Sequence, residues 1–212
     1  MGTLLSHMVY VVDDDSSVCT ALARFLKSSG LNVRTFPSAE TFLEVKTPAD
    51  VAACLVLDVK MPGISGIELQ EELQRRQAGL PIVFISGHGT LPMAVKAMRR
   101  GAIDFLEKPL DSQALLSAVT RAIERAAQRA STRAVTDELI RRYRSLTRRE
   151  REVFAEVIRG SLNKQIALRL GIGEKTVKVH RARVMRKMQA GSVADLVRMA
   201  VTCSSFLESS VC

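Results

Sequence analysis

Short apolar runs alternate with helical spacings through the first half of the chain. Val9–Val12, Cys54–Leu57, Ile82–Ile85 and Ile103–Leu106 are brief and largely β-branched, the pattern of strands buried on both faces. Leu31–Phe36 is more polar and predicts a strand nearer an edge. Val18, Leu22, Phe25 and Leu26 fall at i, i+4, i+7 and i+8, so an amphipathic helix is expected there, ending at Gly30. Leu69 and Leu73, then Ala94 and Met98, then Leu115, Val119 and Ile123 repeat that spacing after each later strand. Five strand–helix units predict a doubly wound parallel sheet of order 2-1-3-4-5, with ligands beyond the carboxyl ends of its strands.

The second half changes period. From Leu110 to Gly160 there is neither proline nor glycine, and residues 112–143 are rich in Ala, Arg, Glu and Leu. The fifth helix is expected to run on as a charged linker over 126–143, with a break near Ser131-Thr132 as the other reading. Four short helices follow. Thr147-Arg148-Arg149-Glu150 is a capping-box pattern ahead of Val153, Phe154, Val157 and Ile158, closed by Gly160. Asn163 is expected to cap a second helix carrying Ile166, Ala167 and Leu170, and Gly171-Ile172-Gly173 makes a turn. A third helix, Glu174–Met188, presents Val177, Val184 and Met188 on one side, with His180 toward that stripe as a packed core histidine. Ser192 caps a fourth with Leu196, Val197 and Ala200 inward. Helix, glycine turn and basic helix make a helix-turn-helix plan.

Charge separates the halves. The chain of 212 residues carries a formal +9, made of 13 Lys/Arg against 14 Asp/Glu over residues 1–127 and 18 against 8 over 128–212. A near-neutral first half and a strongly basic second half imply two domains with different partners. Aromatics at 4% argue against a single-strand binder that works by base stacking, so duplex DNA is the expected partner of the basic half. No apolar run approaches the roughly 18–20 residues that cross a bilayer, and no membrane partner is expected. Cys19, Cys54, Cys203 and Cys212 are scattered with no Cys-x-x-Cys, the usage of reduced thiols in a cytoplasm. Met1–Met8, His7 included, reads as a short leader or cloning scar rather than a signal peptide.

The candidate chemistry sits at strand ends. Asp13, Asp14 and Asp15 follow the first strand, Asp58 ends the third, Ser86 ends the fourth and Lys108 follows the fifth. A parallel sheet gathers these ends on one edge. Carboxylates brought that close repel, and a divalent cation is the usual resolution; all-oxygen ligands with room for water suit Mg²⁺. Asp58 is then a candidate nucleophile toward a phosphoryl group, with Lys108 and Ser86 on the phosphoryl oxygens, which is the positioning and charge neutralisation that such transfer requires. Alone, an Asp-Asp pair is a solvated turn and a Lys-Pro a loop; their order along the sheet carries the reading. His88, with no second His or Cys near it in sequence, is expected to be a loop side chain.

Val-Val-Asp13-Asp14-Asp15, Leu-Asp58-Val-Lys-Met-Pro62-Gly-Ile-Ser-Gly66, Ile-Ser86-Gly-His-Gly and Phe105-Leu-Glu-Lys108-Pro109 resemble the receiver domain of two-component response regulators, a flavodoxin-like (βα)5 fold. The resemblance covers residues 8–125. It implies Asp58 as the phosphoacceptor, Asp13 and Asp14 as an acidic pair with Asp14 a direct Mg²⁺ ligand, and the Lys60 carbonyl as a further metal contact. It also implies Ser86 and Phe105 as a switch pair, Lys108 as the phosphate-binding lysine and Pro109 at a cis-proline position. Two rivals on similar sheets fall. A haloacid-dehalogenase-like phosphatase needs a second Asp two residues beyond the nucleophile, where this chain has Lys60. An FMN binder needs a hydroxyl- and glycine-rich loop after the first strand, where this chain has three carboxylates.

Leu146-Thr-x-Arg149-Glu150, Gly160-x-x-Asn163-Lys164-x-Ile166-Ala167 and Thr176-Val177-Lys178-Val179-His180 resemble the LuxR/FixJ-type helix-turn-helix over residues 144–208, a small all-α four-helix domain. Lys175, Lys178, Val179, Ala182, Arg183 and Arg186 lie off the core stripe of the third helix, a face fit for a major groove. By motif position Lys178 and Val179 are the base readers, with Thr176, Asn163 and Lys164 on the backbone. Ala182 stands where many relatives carry a polar or basic base-facing residue. The whole is expected to be a transcription regulator rather than an enzyme, phosphorylated by a sensor histidine kinase and forming a homodimer on its DNA site. The alternative from another class is a receiver-controlled interaction module whose basic half docks a protein.

Overall fold

The structure is a computed structural model that describes residues 7–45, 51–87 and 89–203. The chain divides into two compact units, one up to Ser131 and one from Thr132 on. In the first unit the elements run β1 (His7–Val12), α1 (Ser16–Ser28), β2 (Asn32–Phe36), α2 (Ala39–Leu43), β3 (Ala52–Asp58), α3 (Gly66–Arg75), β4 (Ile82–Ser86), α4 (Leu91–Arg99), β5 (Asp104–Glu107) and the start of α5 (Ser112–Arg144). The strands form one sheet of order β2-β1-β3-β4-β5, every neighbouring pair parallel. The predicted topology is the observed one.

The continuous apolar runs are explained by burial on both faces. All seven residues of β3 are buried. In β1, Tyr10 and Val12 join the core under α2, α3 and α4, while Val9 and Val11 join the core under α1 and α5. Each such Val or Leu contributes about 1.5–3 kcal/mol relative to exposure. Those two apolar layers fix which way each strand faces, and therefore which residues emerge at the carboxyl edge.

Three expectations change, and between the two readings of the fifth helix the unbroken one holds. β1 begins at His7, paired with Ala52, so the strand takes in the last two residues assigned to a leader; residues 1–6 lie outside the described residues. On α4 the inward residue is Ala97, while Met98 is 44% exposed. Ala97 joins the core with Met93 packed against it, and the Gln70 amide from α3 donates to the Ala97 carbonyl at 3.2 Å. The run from Ser112 to Arg144 is one helix of 33 residues with no break at Ser131-Thr132, as a segment free of Pro and Gly allows. Asn163 is the first residue of its helix rather than the cap; Leu162 holds the cap position, and its amide donates to the Gln165 side chain at 2.8 Å.

The second unit holds α6 (Arg148–Ile158), α7 (Asn163–Leu170), α8 (Glu174–Met188) and α9 (Val193–Thr202), packed on Val153, Phe154, Ile166, Val177, Val184 and Leu196. Thr147 and Glu150 form the predicted capping box, and Gly171 closes α7 in the left-handed conformation, with φ 63°. The α8 bounds and its buried stripe of Val177, Val184 and Met188 match the periodicity of the sequence. Cys19, Cys54 and Cys203 are free and buried, and Cys212 lies outside the described residues.

Candidate functional site

At the carboxyl edge of the sheet three side chains from distant stretches meet. Asp13 follows β1 and is 1% exposed; Asp58 ends β3 and is 5% exposed. Lys108, just past β5, places its ammonium 2.7 Å from Asp13 Oδ2 and 2.9 Å from Asp58 Oδ1. Backbone pairing brings them there. The Lys108 amide donates to the Ser86 carbonyl at 2.8 Å, the Val59 amide to Ile85 at 3.1 Å, and the Asp13 amide to Phe36 at 3.2 Å. Asp58 Oδ2 accepts from the Lys60 amide at 2.8 Å. The Lys108–Pro109 peptide is cis, as the resemblance implies.

The electrostatics follow from that burial. Desolvation pushes the Asp58 carboxyl above the usual carboxylate range, the hydrogen bond and charge of Lys108 draw it back, and Asp13 pushes the same way as burial. For Lys108 burial acts downward, but the hydrogen bonds and charges of Asp13 and Asp58 outweigh it and hold the ammonium above the usual lysine value. Asp58 is thus a buried carboxylate whose charge is matched by a cation that a phosphoryl group could share.

The acidic run divides its duties. Asp14 is exposed, and Asp15 caps α1 by accepting from the Ser17 amide at 2.8 Å and the Val18 amide at 3.4 Å. Among the described residues no three His, Cys, Asp or Glu side chains are gathered so as to hold a metal ion. Lys108 provides the positive charge between Asp13 and Asp58. The donors at this edge, carboxylates and the Lys60 carbonyl, are all oxygen and fit a hard divalent cation in kind.

Ser86 is 1% exposed at the end of β4. Phe105 is half-buried, its ring 6.1 Å from that of Phe84. Gly89 sits against both: a Cβ there would lie 2.7 Å from the Phe105 ring and 3.3 Å from Ser86 Cβ. His88 lies outside the described residues. Gly66 is as tightly placed, since a Cβ there would lie 2.1 Å from the Asp58 carbonyl oxygen.

In the second unit Lys175, Thr176, Lys178, Val179, Ala182, Arg183 and Arg186 are all exposed along α8, and Lys164 is exposed on α7. Among the described residues Lys164, Lys175, Lys178, Arg183 and Arg186 are held in no ion pair, whereas Arg181 and Lys187 are used internally. Arg181 donates to Asn163 Oδ1 at 3.0 Å, which ties the start of α7 to α8. Lys187 donates to the buried Glu150 carboxylate at 2.6 Å. Lys164 near the start of α7 and Lys175 and Thr176 near that of α8 stand where helix dipoles favour an anion. His180 is half-buried, with its Nδ1 buried and without a hydrogen-bond partner, close to the packed histidine expected.

Several working residues escaped the sequence reading. Glu40 accepts from the Ile64 amide at 3.0 Å across a separation of 24 residues, and no local pattern signals it. Glu156 gathers Arg159, Ser161 and Arg169 at the turn between α6 and α7. The cap role of Asp15 was legible, since Asp followed by a helical pattern is a start signal.

Residues 9–120 match the family described as response regulator receiver domain, and residues 144–200 match bacterial regulatory proteins, luxR family. The chain is 45% identical over 203 residues to the response regulator protein TodT of Pseudomonas putida, covering 96% of this chain and 89% of that protein. It is 46% identical over 193 residues to the transcriptional regulatory protein FixJ of Azorhizobium caulinodans, covering 91% of each. Among solved structures, the response regulator StyR superposes with a TM-score of 0.82 at 49% identity, covering 92% of this chain and 98% of that one.

Proposed function

Since this chain belongs to the two-component response regulators that join a receiver to a LuxR-type DNA-binding domain, we propose that Asp58 accepts a phosphoryl group from a sensor histidine kinase and that this governs binding of duplex DNA by the basic unit. The observation that carries the reading is the Lys108 ammonium shared between Asp13 and Asp58 at the sheet edge. An Asp58 carboxylate oxygen forms the new P–O bond as the P–N bond of a phosphohistidine breaks, and the imidazole keeps the electron pair and takes up a proton. Lys108 exchanges one carboxylate contact for a phosphoryl oxygen, and the Ser86 hydroxyl donates to another. Mg²⁺ would be held by Asp14, Asp58 and the Lys60 carbonyl with Asp13 in support, and would supply charge neutralisation. Position 60, two beyond Asp58, is Lys rather than an acid, so the chain is not a turnover phosphatase.

The phosphoryl group adds about −1.5 to −2 charge, drawing Ser86 inward and letting the half-buried Phe105 ring move. The face of α4 and β5 then changes its affinity for a second copy, giving a homodimer on a two-fold DNA site. In the second unit Lys178 and Val179 read bases. Lys175, Ala182, Arg183 and Arg186 line the same groove, while Asn163, Lys164 and Thr176 contact backbone phosphates. The receiver spans residues 8–125, the linker 126–143 and the DNA-binding domain 144–208. The protein is read as cytoplasmic, a reading supported by its DNA partner and by scattered cysteines with no Cys-x-x-Cys.

The test is labelling of the full chain with acetyl phosphate and Mg²⁺. Asp58→Asn will abolish an acid-labile label; label that persists in the variant, or is acid-stable, overturns the assignment. Footprinting on duplex DNA with and without acetyl phosphate tests the second half, and protection unaffected by phosphorylation refutes the coupling.

A further inference from the structure

The loop from Asp58 to Gly66 is fixed at both ends. At its start the Val59 amide donates to Ile85 and the Lys60 amide to Asp58 Oδ2. At its end the Gly66 amide donates to the Val59 carbonyl at 3.0 Å, and Ser65 and Glu68 form a capping box on α3. Between these, among the described residues, residues 61–64 receive one side-chain hydrogen bond from outside the loop: the Ile64 amide donates to Glu40 Oε1 at 3.0 Å. The carboxylate also fills the space beside the neighbouring residue, since a Cβ on Gly63 would lie 2.5 Å from Glu40 Oε1. Gly63 holds φ at 75°, a conformation that glycine alone adopts without strain.

We infer that Glu40 is a positioning residue for Asp58: from α2 it clamps the middle of this loop and so holds the Lys60 amide on the acceptor carboxylate. The inference rests on the reading of Asp58 as the phosphoryl acceptor. Ser38 caps α2 by accepting from the Thr41 amide, which anchors the helix turn from which Glu40 projects. The carboxylate is ionised at neutral pH, because its own amide and that of Ile64 hold it below the usual range. A charge-assisted bond of this kind is roughly twice as strong as a neutral one and stiffens the loop at its midpoint. Orientation of the nucleophile, rather than affinity for the phosphodonor, is what the clamp controls.

Glu40→Ala and Glu40→Gln in the full chain separate this role from general stability, because a Gln amide oxygen still accepts from Ile64. In the metal-free protein, amide exchange at both Ile64 and Lys60 is expected to speed up at least tenfold in Glu40→Ala, while Val11 and Val56 stay protected. The limiting rate of labelling by acetyl phosphate will fall severalfold, with the half-saturating concentration within twofold of its original value. Glu40→Gln will restore most of both losses. Unchanged exchange at Lys60, an unchanged limiting rate, or a Gln variant as impaired as the Ala variant overturns the clamp. Absence of label on Asp58 in the unsubstituted chain defeats the acceptor reading instead, and the exchange measurements then still decide whether Glu40 holds the loop.

Discussion

Replacing Lys108 by Met keeps the length and apolar stem of the side chain but removes the cation that two buried carboxylates share. Asp13 and Asp58 would be left facing each other at 1% and 5% exposure. Two unit charges about 4 Å apart interact by about 4 kcal/mol at an effective dielectric of 20. Breaking a buried pair by removing one partner costs about 3–5 kcal/mol. The Lys108 side chain is itself 24% exposed, so water reaches the site and the lower end applies. A loss of about 3 kcal/mol is expected for the first unit at neutral pH. The sign of its pH dependence follows from both groups. Lys108, raised in the fold, contributes stability that is whole below its unfolded value and is lost only as pH rises through its folded one, so the original protein keeps it at neutral pH. Asp58, already raised, loses its main downward influence in the variant and takes up a proton earlier as pH falls. Protonation relieves the repulsion, and the deficit shrinks toward about pH 5. Amide exchange at Val11 and Val56, in the adjoining interior strands β1 and β3, reads the stability of this unit without the other. A deficit under about 1 kcal/mol, or one equal at both pH values, would place the cluster with ordinary surface ion pairs and refute the reasoning.

Gly66→Ala drives a Cβ to 2.1 Å from the Asp58 carbonyl oxygen, a backbone atom that cannot swing aside, and is expected to cost about 3 kcal/mol by the same exchange measurement. Gly89→Ala meets the movable ring of Phe105 at 2.7 Å, so the ring is expected to leave its place beside Phe84 at a cost of about 1–3 kcal/mol; unaltered nuclear Overhauser contacts between the two rings would contradict this. Lys178→Ala will weaken specific DNA binding by about 1–3 kcal/mol, with discrimination between cognate and scrambled duplexes reduced in a mobility-shift titration. Binding by the unsubstituted protein will fall steeply with salt as the unpaired cations of α7 and α8 neutralise phosphates, and a flat salt dependence excludes that face.

Much of this protein is legible along the chain because its cores impose simple periods. Runs such as Cys54–Leu57 are too short for buried helices and read as strands packed on both faces, and parallel crossovers then leave few topologies, of which 2-1-3-4-5 is the one found. That order forces Asp13, Asp58, Ser86 and Lys108 to one edge before any side chain is placed. The bounds of α8 and its stripe of Val177, Val184 and Met188 follow in the same way from a period of 3.6.

The tertiary structure decided how charge is shared at that edge. Sequence placed Asp13, Asp14 and Asp58 together as like ligands, yet position along a chain cannot tell a buried carboxylate from one that faces solvent or caps a helix. Asp13 turns in to Lys108, Asp14 outward, and Asp15 onto α1. Ala97 rather than Met98 faces inward because neighbouring positions on one helix differ by about 100° in direction, and only packing onto the core fixes which of them turns in. Glu40 on α2 and Ile64 in the loop after β3 lie 24 residues apart. Contacts of that kind exist only after the layers have closed, when backbone amides in loops must find acceptors wherever the packing has put them.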